Sequence, residues 1–91
     1  MTNSGELIAI NGVIIVNDTA ENTTHADSYY VAEDTVIARI EINGDTATDV
    51  KATYISAPAT AVKGGVLITP QSGAYFSGIT LTSGSVVVIL K

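Results

Sequence analysis

The chain has 91 residues, no cysteine, and nine acidic against four basic side chains, a net charge of −5. One domain is expected at that length, with a modest core and neither disulfides nor a thiolate metal site to reinforce it. The cations, Arg39, Lys51, Lys63 and Lys91, are scattered, which excludes the clustered basic surface that nucleic acids and anionic membranes require, and no apolar stretch reaches the roughly 18–20 residues of a membrane-crossing helix.

Val and Ile together number 21 against four Leu, and Thr numbers 12. β-Branched side chains lose rotamer freedom in helices and pack well on pleated sheets, so the expected class is all-β. The start, MTNSGELIAI, lacks the basic segment and apolar run of a secretory signal. An unprocessed chain made in a cytoplasm is expected, and the absence of cysteine fits a reducing compartment.

In chain order, Leu7–Val16 places two apolar runs around Asn11-Gly12, a pair that accepts the positive φ angles of a tight turn. A hairpin is predicted, with a single strand bulged at Gly12 as the alternative. Asn17–Ser28 is polar and reads as a connection. Tyr29–Ala32 reads as a strand, Glu33-Asp34 as a turn, and Thr35–Ile42 as a half-solvated strand. In that strand Val36, Ala38, Ile40 and Ile42 alternate with Thr35, Ile37, Arg39 and Glu41. Asn43-Gly44 turns the chain. Thr48–Ser56 reads as a strand with Val50, Ala52 and Tyr54 on one face. Pro58 and Gly64-Gly65 mark an edge or loop. A short strand ends at Pro70, another spans Ala74–Thr82, and Ser83-Gly84 turns into the last strand, Ser85–Leu90. No window has the spacing of a helix. The pattern predicts a single domain over 1–91, with 1–21 a candidate arm or hairpin. A small antiparallel β-sandwich and a β-barrel both fit it.

The final strand does not alternate: Val86, Val87, Val88, Ile89 and Leu90 make both faces apolar. Such a strand is buried on both sides, and left open it invites aggregation. A small domain has little to lay on the second side. These five residues are therefore expected to pack against copies of the chain, as the self-association seam of a homo-oligomer, or against a partner, and a central place in the monomer's own sandwich is the alternative.

Catalytic chemistry is not signalled. His25 is the single histidine, Glu33 and Asp34 are adjacent and so diverge in a strand, and no nucleophile elbow or phosphate loop is present. Lys63-Gly64-Gly65 lacks the phosphate-loop pattern. Asp18, Glu21 and Asp27 lack the ordered spacing of a calcium loop and read as a solvated acidic segment. No enzyme activity, metal or cofactor is expected.

Glu33-Asp34-Thr35-Val36, followed by Phe76 and Ile79-Thr80-Leu81-Thr82-Ser83-Gly84-Ser85-Val86, resembles a family of small bacteriophage virion structural proteins, over roughly residues 22–91. The resemblance implies a capsid decoration or cement protein, made in a bacterial host and carried on the virion surface. It also implies a homo-oligomer, with a trimer favoured, and the major capsid protein as partner. Leu7, Ile8, Ile10, Val13, Ile14 and Ile15 are then the candidate capsid contacts, as an arm or added strand. The alternative is a head-fibre base or tail-associated module contacting host glycans or another virion protein. Tyr29, Tyr30, Tyr54, Tyr75 and Phe76 are the aromatics available to stack on sugars.

Overall fold

The computed structural model describes residues 12–57 and 60–91. Among them are six strands, β1 (Val13–Val16), β2 (Ala26–Val31), β3 (Val36–Ile42), β4 (Leu67–Ile68), β5 (Phe76–Ser83) and β6 (Val86–Leu90), and a one-turn helix, α1 (Lys51–Tyr54). All pair antiparallel in a single sheet of order β1-β6-β2-β5-β3, with β4 beside β2. The sheet forks at β2. One side of β2 takes β6, while the other is shared by β4, at Tyr29 and Tyr30, and β5, at Ala26 opposite Phe76.

The two arms of the fork share one core. Val16, Tyr29, Val31, Ile68, Val86 and Val88 come from the first arm, and Ile37, Ile40, Phe76, Ile79 and Leu81 from the second. At the junction the Tyr29 ring stacks on Phe76 with centroids 4.5 Å apart, and Tyr54 meets Phe76 edge-on at 5.2 Å. Aromatic pairs in these arrangements contribute about 0.5–1.5 kcal/mol beyond their burial. The Tyr29 hydroxyl is buried without a hydrogen-bond partner among the described residues. Burial, then the Glu41 carboxylate, push its phenol well above the ordinary range.

Two of the chain's four passages between the arms, from β2 to β3 and from β5 to β6, join strands that no ladder pairs. Thr35, fully buried, laces the crossings together. Its hydroxyl lies 2.7 Å from the Glu33 carbonyl and 3.1 Å from that of Ser85, and it accepts the Ser85 N–H at 3.1 Å. Its own N–H and C=O pair with Val62. The second crossing turns at Gly84, where φ is +92° and a Cβ would meet the Thr35 hydroxyl and stand 2.7 Å from the Asp34 carbonyl.

Several sequence expectations are corrected. Thr48–Ser56 is not a strand. Asp49 Oδ1 takes the Lys51 N–H two residues on, at 2.9 Å, a local bond that competes with extended structure. Ile55 N–H then closes on Lys51 O, completing the single turn of α1, so the expectation of no helix fails at this one place. The alternation in β3 breaks as well. Register shifts on either side of Ile37 bring both Ile37 and Ile40 into the core, as a β-bulge does. Glu41 is 4% exposed rather than solvated. Its carboxylate takes Arg39 Nε at 2.8 Å and lies against Gly78, where a Cβ would stand 2.7 Å from Oε1. β2 begins at Ala26, earlier than Tyr29, because that end pairs with β5 and β6.

The structure places the tail, Val86–Leu90, inside the chain's own sheet. β6 has β1 on one side and β2 on the other, and Val86, Val88 and Ile89 are buried by their own chain. The central place, the alternative reading, is the one found. The Leu7–Ile10 half of the predicted N-terminal hairpin lies outside the described residues.

Thr35→Val keeps the shape of the side chain but leaves the Ser85 N–H without its acceptor. A loss of about 1–3 kcal/mol is expected in urea unfolding. Gly84→Ala should cost more than Gly73→Ala: both glycines have positive φ, but at Gly73 nothing lies within 4 Å. Equal losses at the two glycines would contradict the lacing at Thr35.

Candidate interaction surface

Two edges of the forked sheet, β3 and β1, are treated differently. The outward side of β3 is closed by its own chain. Lys51 Nζ donates to Ala38 O at 2.6 Å, Ile40 N–H to Asp49 Oδ1 at 3.1 Å, Val50 N–H to Ile40 O at 2.8 Å and Asp45 N–H to Ile42 O at 2.9 Å. Partial burial works against the Asp49 carboxylate, but the N–H groups of Lys51 and Ile40 and the Lys51 ammonium, at 3.3 Å, outweigh it and hold its pKa below the ordinary value. Asp34, exposed, is lowered in the same way by the Gly64 N–H and by Lys63.

β1 is the other edge. Gly12 O accepts the Leu90 N–H at 3.0 Å, and the Val13↔Ile89 to Val16↔Val86 register continues from there. Antiparallel pairs alternate between bonded and non-bonded, so Ile14 and Val16 bond to β6. Val13 and Ile15 turn their N–H and C=O groups outward, and no other described residue takes them. Their side chains, 47% and 65% exposed, lie on the face away from the core.

That face continues across the sheet. Ile15 stands opposite Val87, Val87 opposite Tyr30, and Tyr30 opposite Leu67. The result is an uncharged row across four strands, with exposed residues at its ends and half-buried Val87 and Tyr30 between. Opposed side chains on adjacent strands are in contact distance, so the row is one continuous apolar stripe.

Of the candidate capsid contacts, Val13 and Ile15 are exposed on this edge. Ile14 is half-buried and packs on the core instead, as alternation along the strand requires. Leu7, Ile8 and Ile10 lie outside the described residues. In the seam nominated for self-association, Val87 alone reaches the stripe; Val86 and Val88 face the core. Tyr30 and Leu67 were not singled out for this surface by sequence, because only the register places them in one row. Of the five aromatics, Tyr29 and Phe76 are fully buried and are not available to sugars. The Tyr75 ring lies against His25 at 4.7 Å and beneath Lys91 Nζ at 5.7 Å.

A second feature is an open cavity of about 260 Å³ between α1, the 60–62 segment and β4, lined by Tyr54, Ile55, Ala57, Val62, Val66 and Ile68 among others. No group of three metal-ligating side chains occurs among the described residues, and Asp18 is engaged with the Ala20 N–H. Comparison of the chain with known protein families, curated proteins and solved structures finds no match.

A carboxylate with a depressed folded pKa stabilises the fold fully above its unfolded pKa, near 3.8 for Asp49, and that contribution is lost as pH falls through the folded value. Asp49→Asn should therefore make the acid limb of the stability–pH curve shallower below about pH 4. Urea midpoints measured over that range check it, and an unchanged limb would contradict the role given to Asp49.

Proposed function

We infer that this chain is a non-enzymatic assembly protein, a bacteriophage capsid decoration (cement) protein that binds the outer surface of the head and stabilises its lattice. The observation that carries the reading is the apolar stripe Ile15–Val87–Tyr30–Leu67 on the sheet face opposite the core. A stripe of this kind on a small soluble domain marks a protein contact. The resemblance of Glu33–Val36 and Phe76–Val86 to small virion proteins gives the partner, the major capsid protein. The net charge of −5 suits a particle surface that stays soluble.

The mechanism is mechanical. Apolar area buried between the stripe and the capsid contributes about 25 cal/mol per Å². Many copies on one shell add their contacts, so a weak single contact becomes a strong collective one. The burial of Tyr29 and Phe76 removes two of the five aromatics that a glycan-binding module would use, so the decoration reading is preferred.

Quantitative mass spectrometry of purified virions, referred to the major capsid protein, tests it. A copy number comparable to that of the capsid protein is expected. A handful of copies per particle would move the protein to the tail or a fibre base, and absence from virions would overturn the reading.

A further inference from the structure

We propose that two copies of this chain pair through β1, antiparallel and edge to edge, about a twofold axis at Ile14. The proposal rests on the reading of the protein as a lattice-binding assembly protein and names the partner of the β1 edge, whose outward groups no other described residue takes: a second copy.

The geometry of the edge is self-complementary. The groups turned outward are the N–H and C=O of Val13 and Ile15. An axis at Ile14 sets Val13 of one copy opposite Ile15 of the other, and the reverse. Both are outward-facing positions, so each pair exchanges two hydrogen bonds. The contact is isologous and closes as a dimer, in place of the trimer that the resemblance implies. It joins two sheets into one, and the outer stripes of both copies then lie on the same continuous face. A capsid would meet a doubled contact, with the gain that bivalence brings.

Charge points to the same edge. Two copies that each carry −5 repel, and only an uncharged seam lets them meet without opposing acids. β1 and β6 carry no charged side chain. The β3 edge, by contrast, carries Arg39 and Glu41, and its backbone is already taken by Asp45, Asp49, Val50 and Lys51; the β4 edge is uncharged but has two residues, too few for a reciprocal ladder.

Size sets the strength. β1 has four residues, and a seam of that length falls well short of the roughly 1,200 Å² of a stable interface. Pairing is therefore weak in free solution, rises with concentration, and strengthens with salt as the repulsion is screened.

Amide hydrogen exchange on the full chain, read residue by residue across a roughly hundredfold concentration range, tests this. Protection of the Val13 and Ile15 amides is expected to rise about tenfold or more, while Ile14 and Val16, bonded to β6, stay protected throughout. Ile15→Pro removes an outward donor and none of the β1–β6 bonds, so it should keep the fold and abolish the rise. Ile15→Lys, at a 65% exposed side chain, should reduce it through charge on the seam. Protection that is high at every concentration would mean that residues 1–11 of the same chain cover the edge. Protection that is low at every concentration would mean that water does. Either result overturns the dimer. Neither depends on virion copy number, so the failure of the pairing and the failure of the decoration reading are told apart.

Discussion

The fold depends on one placement: β6 held between β1 and β2. β6 is the strand with two apolar faces, and only a central position satisfies both. Val86 and Val88 complete the core with Tyr29 and Val31, while Val87 joins the outer stripe. The pairing also ties the last five strand residues to the first described strand, Val13 to Ile89. Contacts this distant in sequence carry a large loop-closure cost. The core is complete only with Val86 and Val88 in place.

With β6 central, the rest of the architecture follows. The crossings from β2 to β3 and from β5 to β6 carry the chain between the arms of the forked sheet, and buried backbone there needs partners. Thr35 supplies them with one hydroxyl, and Gly84 leaves the space for it. The same placement pushes β1 and β3 to the outside as edges, alongside the two-residue β4. Edges invite pairing with other chains. At β3 the invitation is withdrawn by Asp49, Val50 and Lys51; at β1 no other described residue takes the outward groups. The proposed assembly role uses that difference between the two edges.

Much of the local structure was legible in the sequence. β-Branched composition gave the class. Asn43-Gly44 turns as its residues require, with φ of 55° and 76°. Strands lie close to where apolar runs placed them at 36–42, 76–83 and 86–90. What escaped is non-local or set by a single side chain. Asp49 turns an extended-looking segment into α1 through one bond to Lys51. The shifts beside Ile37 change which face of β3 is buried. Ser83-Gly84 turns the chain without making a hairpin, because β5 pairs with β3 and β2 and not with β6. The tail was read correctly as two-faced, but which strands cover it is a property of pairing, and apolar pattern does not encode a partner. The stripe was hidden for the same reason: Tyr30 and Leu67 lie 37 positions apart and meet only through the register of β2 with β4.

The most direct test of the central placement is an isotope-filtered NMR experiment on a mixture of labelled and unlabelled copies, which separates contacts within a chain from contacts between chains. The methyl contacts of Ile14 with Val88, and of Val16 with Val86, are predicted to arise within one chain and to be absent from the filtered, between-chain spectrum. Their appearance only in the between-chain spectrum would show that β6 is covered by another copy and would contradict the account.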